Sequence, residues 1–252
     1  VNYQTFFICF FLIIAICMKL VAYLLEKYQN RNPDFRFVFL SPLLSTKSYQ
    51  CLRDHQVSRG QLFLKAVIFG ALMVMYYSSC YQVQNNLSPI GFSYLVAPGI
   101  YLITLWMSAS LQLLFSLTGV IFSDMHDRPY LSISLTNFWG RRWNRWVRDW
   151  LNHLTYGLKS LNLKYAVMIS FLISGLFHEI MFNLPYFIFT GKAYLGSMMV
   201  FFFLQGLGVL FEKSYLKNAP IILRRIFMFI MIIGLSPFFV QRPFLAIIGL
   251  AK

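Results

Sequence analysis

One short run sets an ionisable pair inside apolar sequence: Ser170, Ser174, His178 and Glu179 lie within the stretch Tyr165–Leu184. That stretch is long enough to cross a membrane, where a charged group at the centre costs upward of about 2.5 kcal/mol. The pair should therefore face a protein interior or a watered cavity. Histidine is the natural general base near neutral pH, and a desolvated neutral imidazole can take a proton from an alcohol. Ser170, Ser174 and His178 fall on one helical stripe, and Gly175 leaves room for a neighbouring helix. Glu179 points about 100° away and suits either support of His178 or an ion pair with an arginine. A packed, hydrogen-bonded interhelical histidine fits the same spacing. Metal ligation does not: His55, His126 and His153 fall in loops away from this depth, and no H-E-x-x-H run exists.

A second concentration lies upstream, at 123–164. Trp139, Trp143, Trp146 and Trp150 recur at intervals of four, three and four, which predicts one helical face completed by Val147, Leu151 and Leu154. Arg141, Arg145 and Arg148 fall opposite, and Thr136 suits the N-cap of a helix beginning at Asn137. Such an amphipathic helix either lies in the headgroup layer or braces the bundle. Asn137 and Asn144 sit at the boundary between its faces, where a polar group can point into a cavity.

These residues must be positioned by membrane helices. The 252 residues are 58% hydrophobic and 12% charged, half the charged share of about 25% usual for soluble domains, which excludes a water-soluble enzyme and a disordered chain. Six apolar runs are long enough to span: Thr5–Leu25, Leu62–Tyr81, Tyr94–Phe122, Tyr165–Leu184, Tyr194–Phe211 and Ile221–Val240. The net charge of +14 follows the same alternation. Segments 26–61, 123–164 and 212–225 hold 17 Lys and Arg, and the alternate segments and tail hold three, Lys192, Arg242 and Lys252. By the positive-inside rule those three loops are cytoplasmic, so the charge reflects orientation and anionic headgroups rather than nucleic acid. Lys19 and Lys65 fall near span ends facing basic loops and are expected to snorkel.

The expected fold is all-α, a multi-pass transmembrane bundle of about six spans with an amphipathic cytoplasmic helix between spans three and four. Residues 1–252 form a single membrane-embedded domain. Val1 in place of Met leaves room for residues and spans upstream. The first run reads as a retained span rather than a signal peptide. Cys9, Cys17, Cys51 and Cys80 suggest neither a zinc site nor a disulfide. The placement of the tail after Val240, with Pro243, is open.

Two segments together resemble a known family. Pro129-Tyr130-Leu131, Ser134-Leu135 and Phe138-Trp139-Gly140-Arg141-Arg142-Trp143-Asn144 are similar to the P-Y-L-x-x-S-L-x-[DE]-F-W-G-R-R-W-N block of wax synthases, and Ser174-Gly175-Leu176-Phe177-His178-Glu179 to their S-G-x-x-H-E motif. Wax synthases belong to the membrane-bound O-acyltransferase superfamily. The resemblance covers about Pro129–Glu179 and implies transfer of an acyl group from acyl-CoA to the hydroxyl of a lipophilic alcohol, with acyl-CoA as co-substrate and no cofactor. It implies His178 as the catalytic histidine and Asn144 as its partner. Asn137 stands where plant wax synthases commonly carry an acid, which puts an acidic role there in doubt.

On this reading Ser174, Glu179 and Asn137 support the site. Arg141, Arg142 and Arg145 meet the phosphates of acyl-CoA, and Trp139 and Trp143 hold apolar portions of the substrates. The location implied is the endoplasmic reticulum in a eukaryote or the cytoplasmic membrane in a bacterium. Three other readings stay open: acetyl transfer from acetyl-CoA to a sterol, terpenoid or glycan; a proton-coupled transporter using His178 and Glu179 as a relay; and an inactive, partner-binding relative.

Overall fold

The computed structural model describes residues 2–28, 58–117, 123–155 and 162–251, and among these the regular structure is helical throughout. Most of the expected loop 26–61, with Cys51 and His55, lies outside the described residues, as do the end of the third expected span and residues 156–161. The main helices are α1 (Tyr3–Tyr28), α2 (Arg59–Val83), α3 (Pro89–Val96), α4 (Gly99–Ser116), α5 (Arg145–Leu154), α6 (Leu163–His178), α7 (Leu184–Thr190), α8 (Ser197–Tyr215) and α9 (Ile221–Phe229).

Five helical stretches among the described residues are long and apolar enough to cross a membrane: Tyr3–Val21, Arg59–Asn86, Pro89–Ser116, Leu163–Thr190 and Ile221–Phe239. The fifth expected span, Tyr194–Phe211, is a 19-residue helix, α8, that falls outside this set. Its apolar character is diluted by Gln205, Glu212 and Lys213, and by Gly206 and Gly208. All but Lys213 lie on the face of α8 that packs into the bundle, while Val200, Phe203, Leu207 and Phe211 on its other face are exposed. The third span begins earlier than expected, at Pro89, because Ser88 caps it by accepting from the Gly91 N–H at 3.1 Å.

Close approaches fix how the helices run. A Cβ on Gly70 would lie 3.1 Å from the Trp106 ring, and one on Gly99 would lie 2.6 Å from the Tyr77 hydroxyl, so α2 and α4 pack antiparallel. Gly175 faces Met199 and Phe202, whereas Gly206 faces Met168 and Phe171, so α6 and α8 are antiparallel too. α8 thus runs back along the whole of α6. The tail after Val240 turns into the bundle: Val240, Phe244 and Leu250 form a core with Cys80, Phe92 and Val96, and the Ser93 hydroxyl donates to the Val240 carbonyl at 2.7 Å. α1 joins through its first turns, where Tyr3, Phe6 and Phe7 meet Phe182, Tyr186 and Phe189. The outward faces of these helices expose Leu, Ile, Val and Phe, as lipid contact requires.

Candidate active site

The amphipathic helix expected from Asn137 onward is broken. Ser134, not Thr136, caps the segment by accepting from the Asn137 N–H at 3.0 Å. Phe138–Arg142 then widens into a π-helical turn closed by the Trp143 N–H donating to the Phe138 carbonyl at 2.8 Å. Asn144 enters the left-handed region at φ 35°, which ends the turn and starts α5 in a new direction. The Asn144 side-chain oxygen caps α5, accepting from the Val147 N–H at 3.2 Å.

This break lets 123–155 enter the bundle instead of covering it. Asp124 accepts from Gln112, the Met125 N–H donates to the Ser108 hydroxyl, and His126 packs edge-on against Tyr101. The chain thereby descends along α4 from its basic-loop end. It returns toward that end at Leu135 and Thr136, whose N–H groups donate to Glu212 at 2.5 and 3.1 Å. It descends again through Trp139, beside Phe171 and Phe202, to Trp143, beside His126 and Tyr101. α5 brings it back, with Trp150 near Phe177 and Thr155 accepting from the Ser170 hydroxyl.

Tyr101 is fifteen residues from the basic-loop end of α4, and His178 is fifteen residues from that end of α6. At 1.5 Å per residue each is about 22 Å deep. His126 and Trp143 meet Tyr101 in that part of α4, while Met125, tied to Ser108, and Arg145, tied to Met125, lie at a level about 12 Å from the same end. His126, expected in a loop away from His178, is instead buried inside the bundle against α4. The loop helix is a brace against the bundle, with Trp146 buried against Met125 and its indole N–H donating to the Ser123 carbonyl at 3.0 Å.

His178 ends α6. Its Nδ1 lies 2.7 Å from the Ser174 carbonyl oxygen. A carbonyl only accepts, so Nδ1 carries the proton and the neutral ring presents its lone pair at Nε2. Phe182, Phe202 and Phe239 enclose the ring, with centroids at 5.9, 4.5 and 5.4 Å. Ser174 acts here through its main chain. Glu179 opens a second π-helical turn, Glu179–Asn183, and pairs with no arginine among the described residues: its buried carboxylate accepts from the N–H groups of Met198 and Met199 at 2.8 and 3.1 Å and from the Asn183 amide at 2.8 Å. It caps α8 and so fixes Phe202 against His178.

The remaining residues divide by engagement. Asn137 accepts from Arg142 Nε at 3.0 Å, and Arg142 also donates to the Asp127 carbonyl and pairs with its carboxylate at 3.7 Å. Arg141 and Arg145 have no carboxylate partner among the described residues. Trp139 donates its indole N–H to Gln205 at 3.0 Å, and Trp139 and Trp143 continue the ring series that starts at His178 and Phe202. No hydrogen bond joins Asn144 to His178. Among the described residues no three His, Cys, Asp or Glu side chains gather as a metal site would require.

Comparison with known sequences meets this geometry in the same segment. The profile of the membrane bound O-acyl transferase family matches residues 122–204, from the first descent along α4 to the middle of α8. The match to that family covers about a third of the chain. Relatives along the chain include the probable long-chain-alcohol O-fatty-acyltransferase 6 of Arabidopsis thaliana, 28% identical over 236 residues covering 88% of this chain and 66% of the relative. The probable long-chain-alcohol O-fatty-acyltransferase 9 of the same plant is 30% identical over 62% of this chain and 46% of its own length. The long-chain-alcohol O-fatty-acyltransferase of Simmondsia chinensis is 30% identical over 51% of this chain and 41% of its own length. The chain thus spans less than two thirds of each.

The matched segment contains His126, Asn144, His178 and Glu179, whereas two residues that organise it, Gln205 and Glu212, follow it. Sequence reasoning passed over both. Buried Gln205 accepts from Trp139 and donates to the Met231 carbonyl at 2.6 Å, and Glu212 caps the Leu135 turn. The signal was present: an amide and a carboxylate in or beside an apolar run need partners.

Proposed function

We propose that this chain is an O-acyltransferase that moves a fatty acyl group from acyl-CoA to the hydroxyl of a lipophilic alcohol, as a wax ester synthase does. The observation that carries the reading is the fixed tautomer of His178, a deep imidazole with Nε2 available as a base within a family segment. Nε2 takes the proton of the alcohol hydroxyl as its oxygen attacks the thioester carbonyl. The new C–O bond forms, the C–S bond breaks, and the CoA sulfur takes the proton back from Nε2. Asn144, held inside the bundle by the tie to His126, donates a hydrogen bond to the developing oxyanion or a substrate carbonyl. Arg141 and Arg145, which lack carboxylate partners, supply the phosphate contacts. The phenylalanine cage around His178 and the Trp139–Trp143 pair receive the apolar chains. The basic loops face the cytoplasm, the side of acyl-CoA supply, in the endoplasmic reticulum or a bacterial cytoplasmic membrane.

The names of the relatives support a long-chain alcohol and a fatty acyl group over acetyl transfer. The relay reading loses ground because Glu179 is committed to capping α8. Membranes containing the protein, given labelled acyl-CoA donors of short and long chain with a panel of alcohols, should yield an ester from long-chain donors and long-chain alcohols. Acetyl esters alone would move the substrate class to acetyl transfer, and an absence of ester from every pair would contradict the proposal.

A further inference from the structure

We infer that His126 is a positioning residue for Asn144, holding it against α4 inside the bundle through a hydrogen bond from the Asn144 N–H; the inference rests on the role proposed above for Asn144. Asn144 Nα donates to His126 Nδ1 at 3.1 Å. Nδ1 must therefore be unprotonated, which puts the proton of the neutral ring on Nε2. Nε2 is buried without a hydrogen-bond partner among the described residues, so Nδ1 is the ring's one polar tie.

The tie sits where the chain is least able to hold itself. Asn144 has φ 35° and lies between a π-helical turn and the first turn of α5, so its N–H belongs to neither helix. The ring itself is well held: Trp143 lies on one side at 4.5 Å, Tyr101 meets it edge-on at 5.4 Å, and only 7% of the residue is exposed. The adjacent Met125 carbonyl accepts from the Arg145 N–H at 2.8 Å, and the Asp127 N–H donates to the Arg142 carbonyl at 2.9 Å. Residues 125–127 are thus laced to 142–145 on both sides of His126. Because Met125 is itself fixed to Ser108, the lacing refers Asn144 to the rigid α4. A side chain carrying an acceptor two bonds beyond Cβ is what the arrangement requires. Asparagine meets that requirement without titrating, and phenylalanine keeps the ring but lacks the acceptor.

The test compares wild type with His126→Asn, His126→Phe and Asn144→Ala in the full chain, at matched amounts of detergent-extracted, monodisperse protein. Hydrogen exchange at the Asn144 amide and ester formation are both read. His126→Phe should speed the exchange and lower kcat by about 10- to 100-fold with little change in the KM for acyl-CoA, the size expected of a shift of about 1 Å at a reacting group. His126→Asn should restore slow exchange and turnover. Slow exchange in His126→Phe, or exchange in His126→Asn as fast as in His126→Phe, overturns the inference. Should His126→Phe fail to accumulate, fast exchange in His126→Asn alone overturns it. Unchanged transfer in Asn144→Ala with fast exchange in His126→Phe overturns instead the role of Asn144 and leaves the tie standing.

Discussion

At the scale of residues, His178 and Glu179 are neighbours with separate duties: one presents a lone pair, and the other accepts three hydrogen bonds, two of them from the first turn of α8. Glu179→Gln removes the charge from that cap, and the loss expected is about 1–3 kcal/mol of stability, read as a lowered Tm in detergent. Ser174→Ala should leave turnover unchanged, because the main-chain carbonyl is what fixes the His178 tautomer; a large loss would assign work to the hydroxyl. His126 carries a pH signature. Burial lowers its pKa from 6.5 to about 4, against an upward pull from Asp124, which itself pairs with Lys65 at 3.6 Å; Tyr101 is the titratable group on α4 that meets the ring. A depressed histidine pKa means that the unfolded state binds the proton first. The stabilisation is complete above pH 6.5 and is lost as pH falls from there toward 4. Thermal unfolding at pH 7.5 and 5 should show a larger acid loss in wild type than in His126→Asn.

Elements position these residues through breaks as much as through helices. The π-helical turns Phe138–Arg142 and Glu179–Asn183 each place a proposed site residue at an end, Asn144 two residues past the first and His178 just before the second. The tryptophan spacing in the sequence reads as one continuous helix because four-three-four intervals suit an α-helix, and although asparagine enters the left-handed region more readily than most residues, its type alone does not mark Asn144 rather than Asn137 as the break. His178 was legible for the opposite reason: an ionisable side chain in a span has few places to go. Gln205 and Glu212 carry the same signal, but their partners were not legible, being backbone groups and an indole up to 77 residues away in sequence. Element packing gives its own prediction. Gly99→Ala would set a Cβ 2.6–2.7 Å from Tyr76 and Tyr77, so the two rings or the helices that carry them must shift, at a cost of about 1–3 kcal/mol; a Tm equal to wild type would contradict that packing.

On the scale of the whole molecule, a bundle of antiparallel helices surrounds a segment that enters it twice from the basic-loop end. Hydropathy and charge alternation made the spans readable, and they located α8 although its polar interior weakens its apolar signal. They could not show that the loop enters the bundle, since tryptophans suit a headgroup layer and a buried brace equally well. Because α8 runs antiparallel along α6, the ends of α8 should lie on opposite faces of the membrane. A membrane-impermeant maleimide should therefore label Lys192→Cys and Lys213→Cys from opposite sides of sealed vesicles; labelling from one side would mean that α8 does not cross. The most direct test of the central claim is ester formation from a labelled long-chain acyl-CoA and a long-chain alcohol by wild type and His178→Ala, at equal amounts of folded, inserted protein. Ester in the wild type and none in His178→Ala is the expected result, and equal turnover in both would contradict the assignment of His178 Nε2 as the base.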